Sequence, residues 1–148
     1  SATVTRLPSD TSKMRSTTFT VATGTHPAVV DVTHEVARFV GDRGDGLVNV
    51  FVPHATAGVA IIEVGAGSDV DLLDAIDEIL PPDDTRYRHR HGSPGHGADH
   101  VLPGLVAPST VVPVVDGRLA LGTWQSIVLV DPNVDNTERR VRLSFIPG

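Results

Sequence analysis

Cysteine is absent from the sequence. That excludes disulfides, thiolate metal ligands and a cysteine nucleophile, so any metal must be held by His, Asp or Glu. It also fits a cytoplasmic protein. There is no run of about 18 apolar residues, so no membrane-spanning helix is expected. Positive charge is scarce: 12 Lys and Arg stand against 18 Asp and Glu, a net charge of -6. General nucleic-acid binding needs a basic footprint, and the charge argues against it. No G-x-x-x-x-G-K occurs, and no convincing G-x-G-x-x-G precedes a helix, so no nucleotide loop is read. A Ser–His–Asp mechanism lacks a supporting signature. Residues 1–16 are polar and hold no hydrophobic segment, so they are not expected to be a secretory signal. They are expected to form a flexible lead-in to a single domain over 17–148.

What the chain does have is histidine, seven in all, four of them within YRHRHGSPGHGADH at 87–100. This stretch shows neither helical nor alternating apolar periodicity, so burial of apolar side chains is not its purpose. Neutral imidazole is the commonest protein metal ligand and a proton carrier near pH 7. The competing reading is a solvated Gly/Pro loop that happens to be rich in histidine.

Elsewhere the patterning is regular. Residues 17–22 (TTFTVA) predict a strand, and 28–32 a second one after the turn at Gly24–Pro27. Thr33 is placed to cap a helix with Val36, Ala37 and Val40 on one face and Gly41 at its end. His34 reads as surface. Residues 47–53 and 59–64 are apolar strands whose short connection suggests a hairpin-like pair, with His54 at the end of the first. Ser68 and Asp71 resemble a capping box. Leu72, Leu73, Ile76, Ile79 and Leu80 then give an amphipathic helix stopped by Pro81 and Pro82. Residues 100–106 have room for one helical turn. Residues 110–115 carry Pro113, which predicts an edge or a bulge. Asp116-Gly117 predicts a two-residue hairpin turn into 118–121. Residues 124–130 and 139–146 are further strands, the last alternating Arg140, Arg142 and Ser144 with Val141, Leu143 and Phe145. Together these elements predict an α+β domain, a mixed β-sandwich or barrel-like core with two or three helices. Glu63 is the only charge in 59–64, where a carboxylate is costly unless paired, hydrogen-bonded or metal-bound. Otherwise it faces solvent at a strand end.

Several segments resemble the YjbQ-like family. PHATAGVAIIE at 53–63 resembles its histidine segment closed by a glutamate. Tyr87-Arg88-His89 and His100 resemble its next two histidines. DGRLALGTWQSI at 116–127 resembles its Gly-Arg hairpin followed by Gly-Thr-Trp-Gln, and DVTHEV at 31–36 its early Asp-Ile-Thr segment. The resemblance covers roughly 17–148. It implies an α+β fold, a homotrimer, and a histidine pocket with a divalent metal. Members are described as uncharacterised, or as a secondary thiamine-phosphate synthase that joins a pyrimidine pyrophosphate to a thiazole phosphate. Ala55, Ile62 and Pro103 depart from the family pattern, and the link after Glu63 is shortened.

On that resemblance His54, His89 and His100 are the expected metal ligands. Three imidazoles with an open position suit zinc, with magnesium or no metal as the alternatives. Without metal, the histidines would bind an anion or play a structural part. Glu63 is the expected general base or the partner of a ligating histidine, and Gln125 a second catalytic candidate. Thr56, Arg118 and Trp124 are substrate-binding candidates, with Trp124 as core or pocket wall. His91 and His96 do not match the family's positions and are expected to be solvated, His96 ranking ahead of His91 as an addition to the site. The expected function is a metal-dependent, thiamine-phosphate-synthase-like enzyme acting on a small phosphorylated heteroaromatic molecule. The alternatives are a non-catalytic metal- or anion-binding module and, behind it, a structural oligomer held by histidine contacts.

Overall fold

The computed structural model describes residues 3–6, 15–89 and 92–148. Among them, nine strands and three α-helices follow in the order β1 (Thr3–Arg6), β2 (Ser16–Ala22), β3 (Ala28–Asp31), α1 (Thr33–Val40), β4 (Gly46–Phe51), β5 (Gly58–Ile62), α2 (Ser68–Ile79), α3 (His96–Val101), β6 (Ser109–Val115), β7 (Arg118–Leu119), β8 (Ser126–Asp131) and β9 (Glu138–Pro147). Short 3-10 turns lie at Asp84–Arg86 and Leu102–Gly104. The strands form a six-stranded sheet, β1-β2-β9-β4-β6-β7, and a three-stranded sheet, β3-β8-β5. Every pairing among the described residues is antiparallel.

The layers follow from side-chain alternation. Phe19, Val21, Val48, Val50, Val141 and Leu143 point inward from the large sheet and meet Ile127 and Leu129 of β8. The intervening Val128 and Val130 face the other way, onto Ile76 of α2 and Leu102. β8 is therefore buried on both faces, as its unbroken run Ile127-Val128-Leu129-Val130 requires. Each such side chain contributes about 1.5–3 kcal/mol on burial. The result is the expected α+β architecture: sheet on sheet, with α1 packed into the core between the sheets and α2 on the outer side of the smaller one.

Local details differ from the sequence reading. Part of the expected lead-in, Thr3–Arg6, pairs along β2 as an edge strand. Thr33 is the first residue of α1 rather than its cap. Its N–H is taken by Asp31 Oδ1 at 2.9 Å, and its hydroxyl accepts the Ile127 N–H at 2.8 Å, stitching α1 to β8. Phe39, not Ala37, joins Val36 and Val40 on the buried face of α1. Ser68 likewise lies inside α2, whose N-cap is Gly67, so the capping box does not form. β4 and β5 are not a hairpin: β4 pairs with β9 and β6, and β5 pairs with β8 in the other sheet. The chain crosses between sheets at 52–57, the segment that carries His54. Pro113 lies in a strand between β4 and β7, not at an edge. The two-residue β7 pairs only with Val114 and Val115, and Pro113 contributes its carbonyl to the Ala120 N–H at 2.9 Å. The turn before β7 is as predicted. Asp116 (φ 50°) and Gly117 (φ 72°) both adopt positive φ, the hallmark of a two-residue type I′ turn. A Cβ on Gly117 would also sit 2.4 Å from the Gly41 carbonyl oxygen.

Candidate metal centre

The expected loop at 87–100 is partly helical. α3 begins at His96, so His96 and His100 stand at i and i+4 on one face. Their Nε2 atoms are 2.8 Å apart. His89, just beyond the Asp84–Arg86 turn, stacks on His100 with ring centroids 4.1 Å apart and lies 5.0 Å from the His96 ring. Ligating atoms of His89, His96 and His100 all fall within 4.8 Å of one another. The return from His89 to α3 depends on Gly92. Its φ is +95°, and a Cβ there would lie 2.7 Å from the His96 ring.

A polar network backs this cluster. His96 Nδ1 contacts Asp135 Oδ2 at 2.7 Å. Ser93 foremost, then Asn133 and His96, holds the Asp135 carboxyl below the usual carboxylate range. Asn133 donates from Nδ2 to Asp99 Oδ2 at 2.9 Å and to Asp135 Oδ2 at 3.3 Å. Burial pushes the Asp99 carboxyl up, and the Asn133 amide opposes that rise. The Asn133 N–H goes to Asp131 Oδ1 at 3.0 Å. Asp131 takes two hydrogen bonds from Arg139, at 2.8 and 2.9 Å, with both side chains buried. Arg139 then donates to Thr56 Oγ1 at 2.8 Å.

The structure brings together two of the three expected ligands, His89 and His100, and puts His96 where His54 was expected. Among the described residues, His54 and Glu63 lie outside the group. His54 instead accepts the Arg140 N–H at Nε2, 2.8 Å away. Burial, then the neighbouring Arg139 charge, lowers its pKa, which favours the neutral ring that this bond needs. Glu63 is exposed just past β5. Thr56 is buried against Arg139, and Arg118 is exposed on β7. Gln125 accepts the Gly122 N–H at 2.8 Å and closes an exposed loop. That loop projects Trp124, 73% exposed, away from the core or pocket-wall position expected for it. His91 lies outside the described residues.

Sequence reasoning missed Arg139, Asp131, Asn133 and Asp135. Arg139 carried a signal: it is in phase with Val141, Leu143 and Phe145 on the inward face of β9. The i, i+4 spacing of His96 and His100 was another.

The YjbQ-like UPF0047 family model matches residues 17–148. UPF0047 proteins of Mycobacterium bovis and Mycobacterium tuberculosis are 66% identical over 120 residues, covering 81% of this chain and 92% of each relative. A hypothetical protein from Aeropyrum pernix has a solved structure with a TM-score of 0.80 at 34% identity, over 90% of this chain and 98% of that one. An uncharacterised family member from Clostridium acetobutylicum superposes with a TM-score of 0.74 at 26% identity, over 87% and 98%. The fold, the matched span and the sequence identity agree: this chain belongs to the YjbQ-like UPF0047 family.

Proposed function

We propose that His89, His96 and His100 hold a divalent cation of the zinc type, and that the protein is a metal-dependent enzyme acting on a small phosphorylated molecule. The observation that carries this reading is the convergence of three imidazoles within 4.8 Å. The donor set fits. Nitrogens bound to tetrahedral zinc at 2.0–2.1 Å stand about 3.3 Å apart, so the 2.8 Å pair must open by about half an ångström, while His89, within 4.8 Å of the others, closes by up to about 1.5 Å. The Asp135 carboxylate on His96 Nδ1 is the support that ligating histidines ordinarily have, and it leaves Nε2 to face the ion. When bound, such a cation acidifies a coordinated water or neutralises charge on a phosphate oxygen. Thiamine-phosphate-synthase-like transfer, implied by the resemblance, is the first reaction to assay. Magnesium prefers oxygen ligands, so an all-imidazole set favours zinc over it.

The resemblance also implies a homotrimer. An apolar strip on the outer face of the large sheet supports self-association: Leu47, Phe51, Val111, Val115 and Ile146 are all exposed in the single chain. A binding module without turnover is the second reading, favoured by the position of Glu63 outside the histidine group.

Elemental analysis of the purified protein tests the metal, beside a folded His96→Ala/His100→Ala variant. About one ion per chain, lost in the variant, is expected. No ion in the wild type, even after incubation with Zn²⁺, overturns the reading. Once metal is established, turnover of phosphorylated substrates that survives in Glu63→Gln is consistent with an enzyme whose base is elsewhere. Ligand binding without any turnover favours the binding module.

A further inference from the structure

We propose that Asn133 is the positioning residue of the histidine centre: it holds the Asp135 carboxylate against His96 and so aims His96 Nε2 at the metal. The proposal rests on the metal reading of His89, His96 and His100.

Asn133 is 1% exposed, although the residues that follow it at 134–138 are exposed. A buried amide is costly unless its polar atoms find partners. Here each of them does. Its backbone N–H donates to Asp131 Oδ1 at 3.0 Å, and its Oδ1 accepts the Asp135 N–H at 3.0 Å. Its two Nδ2 hydrogens go to carboxylates on different elements, Asp99 of α3 and Asp135 of the loop. α3 also carries His96 and His100. One side chain thus ties the helix that presents two ligands to the loop that presents their orienting carboxylate. Only a primary amide supplies two donors and an acceptor from one short side chain. Aspartate in its place would turn the donor into a third carboxylate between two others.

The base of this device is fixed independently. Arg139 grips both oxygens of Asp131, each side chain buried, and Asp131 anchors the Asn133 backbone. The order of support runs from Arg139 through Asp131 and Asn133 to Asp135, and from there to His96. The Asp135 side chain is 29% accessible, and beside the Ser93 hydroxyl it is Asn133 that ties it back to the buried base. A carboxylate that wanders leaves the imbalance at the ring: His96 Nδ1 loses its partner, and Nε2 loses its direction.

The test is a double-mutant cycle on Co²⁺ affinity and on the visible absorption spectrum of bound Co²⁺, using the full chain. Asn133→Ala and Asp135→Asn are each expected to weaken Co²⁺ binding roughly ten- to a hundredfold and to shift the spectrum. Because they act along one line, the double variant should bind about as weakly as Asp135→Asn alone. Circular dichroism without metal confirms that each variant is folded. If Asn133→Ala does not fold, the uncharged Asn133→Ser, whose single hydroxyl cannot bridge both carboxylates, takes its place in the same cycle. Wild-type affinity and spectrum in a folded Asn133 variant overturn the proposal, as do losses that multiply in the double variant. Failure of the wild-type chain itself to take up Co²⁺ overturns the metal reading, and the positioning role with it.

Discussion

Replacing Arg139 by methionine should be among the most damaging single changes in this chain. Arg139 is 2% exposed and Asp131 0%. The methionine side chain fills much of the same volume but leaves the Asp131 carboxylate with the Asn133 N–H as its remaining bond in the network described. Removing one partner of a buried ion pair costs about 3–5 kcal/mol, most of it the penalty of a charge left in a dry site. For a chain of this size each kcal/mol moves the melting temperature by about 2–4 °C, so Arg139→Met should melt roughly 6–20 °C below the wild type. The reasoning assigns that loss to charge rather than to shape. Arg139→Met/Asp131→Asn should therefore be more stable than the single variant, because a neutral amide replaces the stranded carboxylate and its oxygen still accepts the Asn133 N–H. Urea unfolding at pH 7 and fixed protein concentration measures both. A single variant within about 1 kcal/mol of wild type, or a double variant less stable than the single, would refute this account of the pair.

Three further outcomes are expected. The folded pKa of His54 is depressed, first by burial and then by Arg139. Its contribution to stability is therefore complete above the unfolded value of about 6.5 and is lost as pH falls through the folded one. His54→Gln should flatten the stability profile between about pH 7 and 5, and an unchanged slope on denaturant titration sinks that assignment. The His96–His100 contact at 2.8 Å needs a hydrogen between the two nitrogens, whichever ring carries it. A metal on both must displace it, to the other nitrogen of that ring or to solvent, so imidazole nitrogen NMR should show both Nε2 resonances shift when Zn²⁺ binds, and either one unmoved would contradict joint ligation. Finally, if the strip on the large sheet is a subunit contact, Val111→Lys/Ile146→Lys should sediment as a folded monomer where the wild type is a trimer. A wild-type monomer removes the basis for the trimer, and an intact variant trimer moves the contact elsewhere.

The parts of the fold that were legible in the sequence are those decided within a few residues. Asp116-Gly117 announced its turn because few other pairs accept positive φ twice in succession. β9 was legible because alternation of Arg140 and Arg142 with Val141 and Leu143 allows only one inward face. Partner choice was not. β4 and β5 are both apolar, and nothing in either run says that one belongs to the large sheet and the other to the small. The helix at His96 escaped notice because six residues are too few to show an apolar period, and Gly and Pro around it read as loop.

The site was half legible for a related reason. Residue type is local, so the histidines at 89 and 100 that belong to the cluster stood out; support is long-range, so the carboxylates and amide at 131–135 looked like an ordinary polar turn. Yet Arg139 shows that such support leaves a trace. A cation in phase with Val141, Leu143 and Phe145 must point into the core, where it is stable only beside an opposite charge. The carboxylate on the preceding apolar strand is Asp131, at the end of the doubly buried β8. That pairing fixes both ends of the 131–139 segment, and a segment held at both ends can present Asn133 and Asp135 to α3 at hydrogen-bond precision. The buried ion pair is thus better understood as the foundation of the histidine centre than as a source of net stability, since a well-packed apolar pair would serve stability as well.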